Sequence, residues 1–221
     1  MIDKNPEKIK KMFDLISKNY DKINDIISFY THKYAKYKAI KELNIPNNSK
    51  ILDLCCGSGD LGRIIKKLNK TTTVIGVDFS EEMIKLARKK NKNITYELQD
   101  ATNLSFENNS FDFIVMGFGL RNIKEEQKAL NEIYRILKPN GKFLHLDFNN
   151  KTFLNKIYDK IIIFILKFFI KEIDAYKYLI ESKNGFYNNK EIIKIFEKYN
   201  FKKEKANTIL LNMIAYQIMT K

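Results

Sequence analysis

The stretch that decides the fold is residues 51–60, which read ILDLCCGSGD. A short apolar run stopped by Gly57 is typical of a buried strand that ends in a tight loop. Helical spacing of apolar residues follows over 61–68, so the stretch predicts a strand, a loop and a helix in succession. Ligands of open α/β sheets bind at the carboxyl ends of the strands. We therefore expect the loop after this first strand to carry a binding site.

The same succession of strand, loop and helix repeats along the middle of the chain. Ser80 is a good N-cap for the helix after the second strand, and Pro139 with Gly141 ends the helix after the fourth. Such alternation indicates a parallel sheet with helices on both faces. We predict an α/β fold: a Rossmann-like, mostly parallel sheet of seven strands with an antiparallel terminal hairpin strand and an N-terminal helical cap. The predicted strands are 50–56, 73–79, 94–99, 111–117, 142–148, 203–210 and 213–220, and the later helices are 124–137 and 190–199.

We interpret the 221 residues as a single domain with four parts. Residues 1–49 form the helical cap, and 50–148 form a core that binds the cofactor. Residues 149–189 form a helical insertion on the substrate side, and 190–221 form the last helix and the hairpin.

The most apolar stretch of the chain is 153–170, which Lys156, Asp159, Lys160 and Lys167 interrupt. Its longest uncharged run is too short to span a bilayer. Three interpretations stay open: a buried helix, a helix that lies on a membrane surface, and a wall of an apolar pocket.

The acidic residues of the first loop favour one class of ligand over another. Gly57, Gly59 and Gly62 match the dinucleotide pattern G-x-G-x-x-G, but that match alone is weak. Asp53 and Asp60 flank the loop, and each carboxylate would repel a pyrophosphate by roughly a kcal/mol or more. The same charges attract an ammonium and a sulfonium. The loop therefore favours S-adenosylmethionine over a dinucleotide.

The next two strands also end in carboxylates. Asp78 closes the second strand, where a carboxylate can accept hydrogen bonds from both ribose hydroxyls. Asp100 and Ala101 follow the third strand, where they can bind the adenine amino group and ring. The cofactor residues predicted from the strand ends are Asp53, Gly57, Ser58, Gly59, Asp60, Asp78, Phe79, Asp100 and Ala101.

The charge and cysteine content limit the partners, metal sites and compartment that we expect for this protein. The formal net charge is +14, but lysines are spread over the whole chain, and no basic tract interleaved with aromatic residues indicates a nucleic-acid groove. Attraction to an anionic membrane surface stays open. Cys55 and Cys56 are adjacent, so a structural disulfide between them is not expected, and two cysteines with two distant histidines give no zinc site. Without a signal peptide at the start, we expect a cytoplasmic protein.

Five segments resemble the ubiquinone/menaquinone biosynthesis C-methyltransferase family, and together they cover nearly the whole chain. Residues 118–122 match the family's FGLRN. The others are 51–60 (family pattern VLDLxxGTGD), 20–28 with His32 (YDxMNxxxSxxxHxxW), 135–141 (RVLKPGG) and 174–182 (DSYRYLxES).

The resemblance implies methyl transfer from S-adenosylmethionine to a ring carbon of a prenylated hydroquinone, in menaquinone and/or ubiquinone biosynthesis. A phenol titrates near ~10, so a base or a cation that stabilises the phenolate is expected. Arg121 is the first candidate for that cation. Asn122 can orient the second oxygen or cap a helix, and Asp147 can be the base or a structural carboxylate. His32 is either a further base or a structural residue.

The resemblance also implies that Tyr20 lies on a helical lid over the cofactor. Tyr176 and Tyr178 are candidates for the wall around the quinol ring, with simple packing as the alternative, and His145 is expected in the core. The prenylated quinol is the expected partner, nucleic acid is not, and peripheral membrane contact and a homodimer stay open. Three other readings compete: a class I methyltransferase for another small molecule, a binding or membrane-scaffold protein without turnover, and an NAD-dependent reductase.

Overall fold

The computed structural model describes residues 3–28, 30–149, 159, 161, 162 and 173–221. One seven-stranded sheet runs through its centre. The strands are β1 Lys50–Leu54, β2 Thr73–Asp78, β3 Thr95–Leu98, β4 Phe111–Gly117, β5 Leu137–Phe148, β6 Lys202–Ile209 and β7 Ile214–Thr220. Their order across the sheet is β3-β2-β1-β4-β5-β7-β6. Strands β1 to β5 are parallel, and β7 pairs antiparallel with both β5 and β6. The predicted fold class is confirmed.

Helices cover both faces of the sheet, as predicted. The helices of the described residues are α1 Pro6–Ile16, α2 Tyr20–Ser28, α3 Thr31–Glu42, α4 Asp60–Leu68, α5 Glu81–Lys90, α6 Glu126–Ile136, α7 Ile173–Asn184 and α8 Asn189–Lys198. α3, α4 and α5 pack on one face, and α6 and α8 pack on the other. α1 and α2 form the N-terminal part of the cap, where Ile16 and Ile23 pack with Tyr176 of α7 in a third, smaller cluster.

Strand β1 is buried on both faces, which explains its nearly continuous apolar sequence. Ile51 packs into the cluster under α3 to α5, whereas Leu52 and Leu54 pack into the cluster under α6 and α8. Truncating either leucine to alanine would cost about 2–5 kcal/mol of stability. Asp53 is the one charged residue between them, so the strand places a buried carboxylate beside the first loop.

Two strand boundaries differ from the predicted ones by two residues or more, and each has an identifiable reason. Strand β1 ends at Leu54, two residues earlier than predicted, because Cys55 has a φ of 56° and the chain leaves the sheet there. Strand β5 begins at Leu137, five residues earlier than predicted, because Leu137 also pairs with Phe111 across an irregular step in the register.

The predicted apolar segment 153–170 lies outside the described residues, apart from Asp159, Ile161 and Ile162. Among the helices that the described residues form, none has the length and apolar character needed to cross a bilayer. Cys55 and Cys56 are both free thiols.

Candidate active site

A cleft opens at the carboxyl ends of β1 to β4, and we call it the strand-end cleft. Leu54, Asp78 and Gly117 bring the ends of three strands to it, and the turn after β3 closes one side. Six of the predicted cofactor residues line this cleft: Tyr20, Gly57, Asp78, Phe79, Asp100 and Ala101.

Asp78 lines the strand-end cleft and accepts hydrogen bonds from two backbone N–H groups. The Gly57 N–H donates to its Oδ2 at 2.8 Å, and the Ser80 N–H donates to its Oδ1 at 3.0 Å. Burial raises the pKa of this carboxyl. Gly57 has a φ of 52° and nothing within 4 Å of the position a Cβ would take, so the backbone faces open space there.

Asp53 supports the loop from behind. Its Oδ2 accepts a hydrogen bond from the Gly62 N–H at 2.8 Å, and the side chain is not part of the cleft wall. Burial raises the pKa of Asp53 to about 7, and the bond from Gly62 opposes that shift. The carboxyl therefore fixes the start of α4 under the loop.

Asp60 is paired with cations of the protein itself. Lys36 Nζ lies 2.9 Å from one carboxylate oxygen, and Arg63 lies 3.1 Å from the other. Burial alone would raise the pKa of Asp60, but Lys36, together with Lys90 and Arg63, holds that pKa well below its usual range. The Asp60 carboxylate, which we predicted to attract the cofactor, is therefore already paired with Lys36 and Arg63. Its contact with the cofactor stays a prediction.

Ser58 and Gly59 also shape the loop and are not part of the cleft wall. Ser58 Oγ donates to Asp21 Oδ1 at 2.6 Å, which ties the loop to α2. Gly59 has a φ of 81°, and a Cβ there would lie 2.2 Å from the Tyr96 hydroxyl. Their predicted role as direct contacts of the cofactor stays a prediction.

A second cavity of about 380 Å³ lies beside the cleft, and we call it the helix-walled cavity. Its wall comes from α1, α2, α3 and α7, the loop after β4 and the tip of the β6–β7 hairpin. Most of the lining side chains are apolar. Phe13, Tyr20 and Phe118 line both cavities, so the two spaces meet at these three rings.

Arg121 brings a positive charge into the helix-walled cavity. One guanidinium nitrogen donates to Asp147 Oδ1 at 2.6 Å and to the Phe118 carbonyl at 3.0 Å. The guanidinium lies 5.7 Å from the ring centre of Phe118 and 5.5 Å from that of Phe148. Its Nε is buried, and in the described part of the chain it has no hydrogen-bond partner. A buried, oriented cation of this kind suits a substrate oxyanion.

The other predicted catalytic residues occupy different positions. Asn122 lines the strand-end cleft, where its Oδ1 is buried without a partner among the described residues. Asp147 lines neither cavity and lies behind Arg121, so its position favours orienting that arginine over accepting a proton. Its role as the base stays a prediction.

His32 lines the helix-walled cavity, with Nδ1 2.5 Å from Ser28 Oγ. Burial, with help from Lys36, lowers the pKa of His32 to about 4, so the ring is neutral at pH 7. Tyr176 lines the cavity as expected. His145 is buried in the core at 1% exposure, and its Nδ1 lies 2.7 Å from Gln217 Oε1, as predicted for a core residue.

The sequence reasoning missed two cations of the helix-walled cavity. Lys36 lies one helical turn after His32 on α3, and that spacing was the available signal. Lys183 follows directly after the 174–182 segment and pairs with Asp159. The missed pairing joins residues 24 positions apart, and no local pattern indicates it.

The residues of the strand-end cleft fit S-adenosylmethionine. Asp78 and Asp100 offer carboxylates at the ends of β2 and β3, the Gly57 backbone is open to a close approach, and the buried Asn122 Oδ1 can accept a hydrogen bond. No group of three or more metal-binding side chains occurs in the described ranges. The sheet order, this cleft and the adjoining apolar cavity define a class I S-adenosylmethionine-dependent methyltransferase.

Comparison with known proteins identifies the family. The sequence profile of the ubiE/COQ5 methyltransferase family matches residues 1–221, and the chain belongs to that family. It is 37% identical over 212 residues to the demethylmenaquinone methyltransferase of Staphylococcus saprophyticus, covering 91% of each chain. It is 36% identical to that of Staphylococcus aureus strain JH9, covering 89% of this chain and 86% of the relative.

A solved structure supports the fold. The S-adenosylmethionine-dependent methyltransferase of Aquifex aeolicus superposes with a TM-score of 0.66 at 18% identity, covering 90% of this chain and 97% of the other. The predictions of the family, of a methyltransferase and of S-adenosylmethionine as its cofactor are confirmed.

Proposed function

We propose that this protein methylates a ring carbon of a prenylated naphthoquinol and so converts demethylmenaquinol to menaquinol. The observation that carries the proposal is the junction of two cavities of opposite character at Phe13, Tyr20 and Phe118. One cavity presents carboxylates at strand ends, and the other is apolar with buried cations. The two staphylococcal relatives, both called demethylmenaquinone methyltransferase, favour the naphthoquinol over a benzoquinol.

The strand-end cleft would hold the cofactor through Asp78 and Asp100, and the bound cofactor supplies an electrophilic methyl group. The quinol ring would lie in the helix-walled cavity against the three shared rings, which align its carbon with the opening between the cavities. With the quinol bound, the apolar part of the wall would keep water from the ring, so charges beside it would interact strongly.

Arg121 would stabilise the oxygen next to the reacting carbon as its O–H loses its proton to solvent. Once that carbon has taken the methyl group, the hydrogen that it carried leaves as a proton and the oxygen is reprotonated, so one proton is released overall. Asp147 and the two phenylalanine rings hold the Arg121 guanidinium in place. A neutral His32 would accept a hydrogen bond at the cavity wall. With a pKa of about 4 it holds a proton poorly, so a stabilised phenolate is the more effective way to activate the ring.

The proposal is tested with the purified protein, S-adenosylmethionine and a short-chain demethylmenaquinol under reducing, oxygen-free conditions. We expect a product heavier by one methyl group, detected by mass spectrometry, with the matched benzoquinol methylated far more slowly. Faster transfer to the benzoquinol would reassign the substrate, and transfer to neither would refute quinol methylation. Accumulation of demethylmenaquinone in cells that lack the protein would support the same conclusion.

We also propose that the enzyme works in the cytoplasm and meets its substrate at the inner face of the membrane. A prenyl tail resides in lipid, and a net charge of +14 favours an anionic surface. In vesicle flotation we expect co-migration with anionic vesicles and weaker binding to neutral ones. Failure to bind either kind of vesicle would contradict the proposal.

The homodimer and the four-part division of the chain stay predictions.

A further inference from the structure

A second buried ion pair faces the helix-walled cavity. Lys183 of α7 pairs with Asp159, and both residues line the cavity although they are only 3% and 6% exposed. Asn184 Nδ2 donates to the other carboxylate oxygen of Asp159 at 2.9 Å. Burying such a pair in apolar surroundings costs more than its mutual attraction commonly returns, so stability alone explains it poorly.

The pair stands in a definite relation to Arg121. The Lys183 ammonium lies 5.3 Å from the ring centre of Phe148, and the Arg121 guanidinium lies 5.5 Å from the same ring centre. Each cation is held by its own carboxylate, Arg121 by Asp147 and Lys183 by Asp159. Two supported cations therefore share one aromatic ring on the wall of one cavity.

A quinol ring carries two oxygens on opposite edges, and only one is adjacent to the carbon that receives the methyl group. Neither cation is part of the cleft wall, but the Arg121 guanidinium lies over Phe118, a ring shared by both cavities, so we place Arg121 nearer the cofactor. The Lys183 ammonium lies over Phe148, which lines only the helix-walled cavity. The two cations can therefore serve the two oxygens separately.

We propose that Lys183, supported by Asp159, binds the quinol oxygen remote from the methylated carbon. This rests on the proposed function and adds a residue that fixes the orientation of the ring. An ammonium has three donors and can bond a substrate oxygen while it keeps its carboxylate partner. Burial lowers the pKa of Lys183, and a hydrogen bond donated to the quinol oxygen would favour its charged form. The remote oxygen does not activate the reacting carbon, so the effect falls on binding and alignment.

The test compares Lys183→Met with the wild type on two substrates. One is the short-chain demethylmenaquinol, and the other is a monohydroxy analogue that keeps the hydroxyl next to the reacting carbon and carries hydrogen at the remote position. The matched control is Lys177→Met, which removes an exposed lysine from the same helix.

We expect Lys183→Met to raise KM for the quinol about ten- to a hundredfold and to change KM for the analogue less than about twofold. Affinity for S-adenosylhomocysteine should stay unchanged, and Lys177→Met should behave as wild type. Equal losses on both substrates would indicate a purely structural pair and overturn the inference, as would unchanged KM for the quinol.

The wild-type enzyme provides a second test that does not depend on whether Lys183→Met folds. The wild-type enzyme should bind the analogue about ten- to a hundredfold more weakly than the quinol, and equal KM values would refute a bond to the remote oxygen. Lys183→Arg, which keeps the charge, should restore much of the preference for the quinol. If the wild type methylates neither substrate, the proposed function itself has failed.

Discussion

The two cavities have opposite electrostatic character. In the strand-end cleft a carboxylate, Asp78, accepts hydrogen bonds from backbone N–H groups of the loop and of the residue that caps the next helix. In the helix-walled cavity the cations Arg121 and Lys183 are each held by a carboxylate side chain. The cleft therefore suits a positively charged nucleoside, and the helix-walled cavity suits an oxygen that becomes negative.

The difference also lies in how the chain assembles each cavity. The cleft is formed by the ends of strands that follow one another in the sequence. The backbone of the sheet therefore fixes the positions of its polar residues. The helix-walled cavity joins α2, α3, α7, the loop after β4 and a hairpin tip, which are far apart in the sequence. We therefore expect substitutions in the strand-end cleft to change cofactor affinity and substitutions in the helix-walled cavity to change turnover.

The largest expected effect is that of Arg121→Gln on turnover. Removing a donor aimed at a developing oxyanion should lower kcat about 10²- to 10³-fold, while the Kd of S-adenosylhomocysteine changes less than about twofold. The check is steady-state kinetics on the short-chain quinol together with calorimetry of the cofactor product.

Arg63→Gln is the control for that variant, because it removes an arginine whose side chain is 55% exposed and lies outside both cavities. The loss of Arg121 also leaves Asp147 without its cation, so thermal unfolding must show that the variant is folded at the assay temperature. If cofactor affinity falls as much as kcat, the two cavities are not separable.

Asp78→Asn should give the complementary result. The amide keeps an acceptor but loses the charge, so the Kd of S-adenosylhomocysteine should rise about ten- to a hundredfold, and KM for the quinol should change about twofold at most. Calorimetry and initial rates at saturating cofactor measure the two quantities.

Asp112→Asn is the matched control for Asp78→Asn, since Asp112 also accepts a backbone N–H, that of Lys50, but lies near the opposite ends of the strands. Unchanged cofactor affinity in Asp78→Asn would mean that another carboxylate binds the ribose.

The sequence predicted the strand-end cleft better than the helix-walled cavity for a physical reason. Asp78 and Asp100 follow strands, and in a parallel sheet those ends lie at one edge, so their convergence follows from the order of elements. Asp53 and Asp60 satisfy the same rule, but their carboxylates already have partners within the protein, and their contact with the cofactor stays a prediction. Their partners, the Gly62 N–H and the ammonium of Lys36, depend on how helices pack over the loop.

The helix-walled cavity had no comparable rule. Arg121 could be singled out through the family segment at 118–122, but the pairing of Lys183 with Asp159 depends on how α7 packs, which no local pattern encodes. The role proposed for Asp147 from its place at the end of β5 was reasonable for a strand-end residue. In the structure Asp147 accepts a hydrogen bond from Arg121, and Arg121 lines the cavity whereas Asp147 does not.

The buried carboxyl of Asp53 predicts a pH dependence of stability. Its pKa in the folded protein is about 7, above the ordinary 3.8, so its stabilising contribution is complete below the ordinary value and is lost as pH rises through 7. The free energy of unfolding of the wild type relative to Asp53→Asn should fall by about 1.4 kcal/mol between about pH 6 and pH 8.

Urea denaturation without cofactor, at several pH values, measures this difference. His32 is present in both proteins and cancels from the comparison. A difference that does not vary with pH would mean that Asp53 is ionised throughout, and the single hydrogen bond from Gly62 would then not explain how the buried charge is stabilised.

The smallest effect concerns Asp21, which links the cap to the cofactor loop and follows Tyr20, a residue shared by both cavities. Its carboxylate accepts hydrogen bonds from Ser58 and from Lys90. Asp21→Asn should lower stability by about 1 kcal/mol or less, because this partly exposed pair is weak.

Unlike Arg121→Gln and Asp78→Asn, Asp21→Asn should change the Kd of S-adenosylhomocysteine and the KM of the quinol together, each about two- to fivefold, since the cap forms a wall of both cavities. Glu81→Gln, which removes an exposed partner of Lys85, should change neither. A change confined to one ligand would show that the cap serves only that cavity. The shared rings would then be a boundary between independent sites, because movement of the cap would no longer couple one ligand to the other.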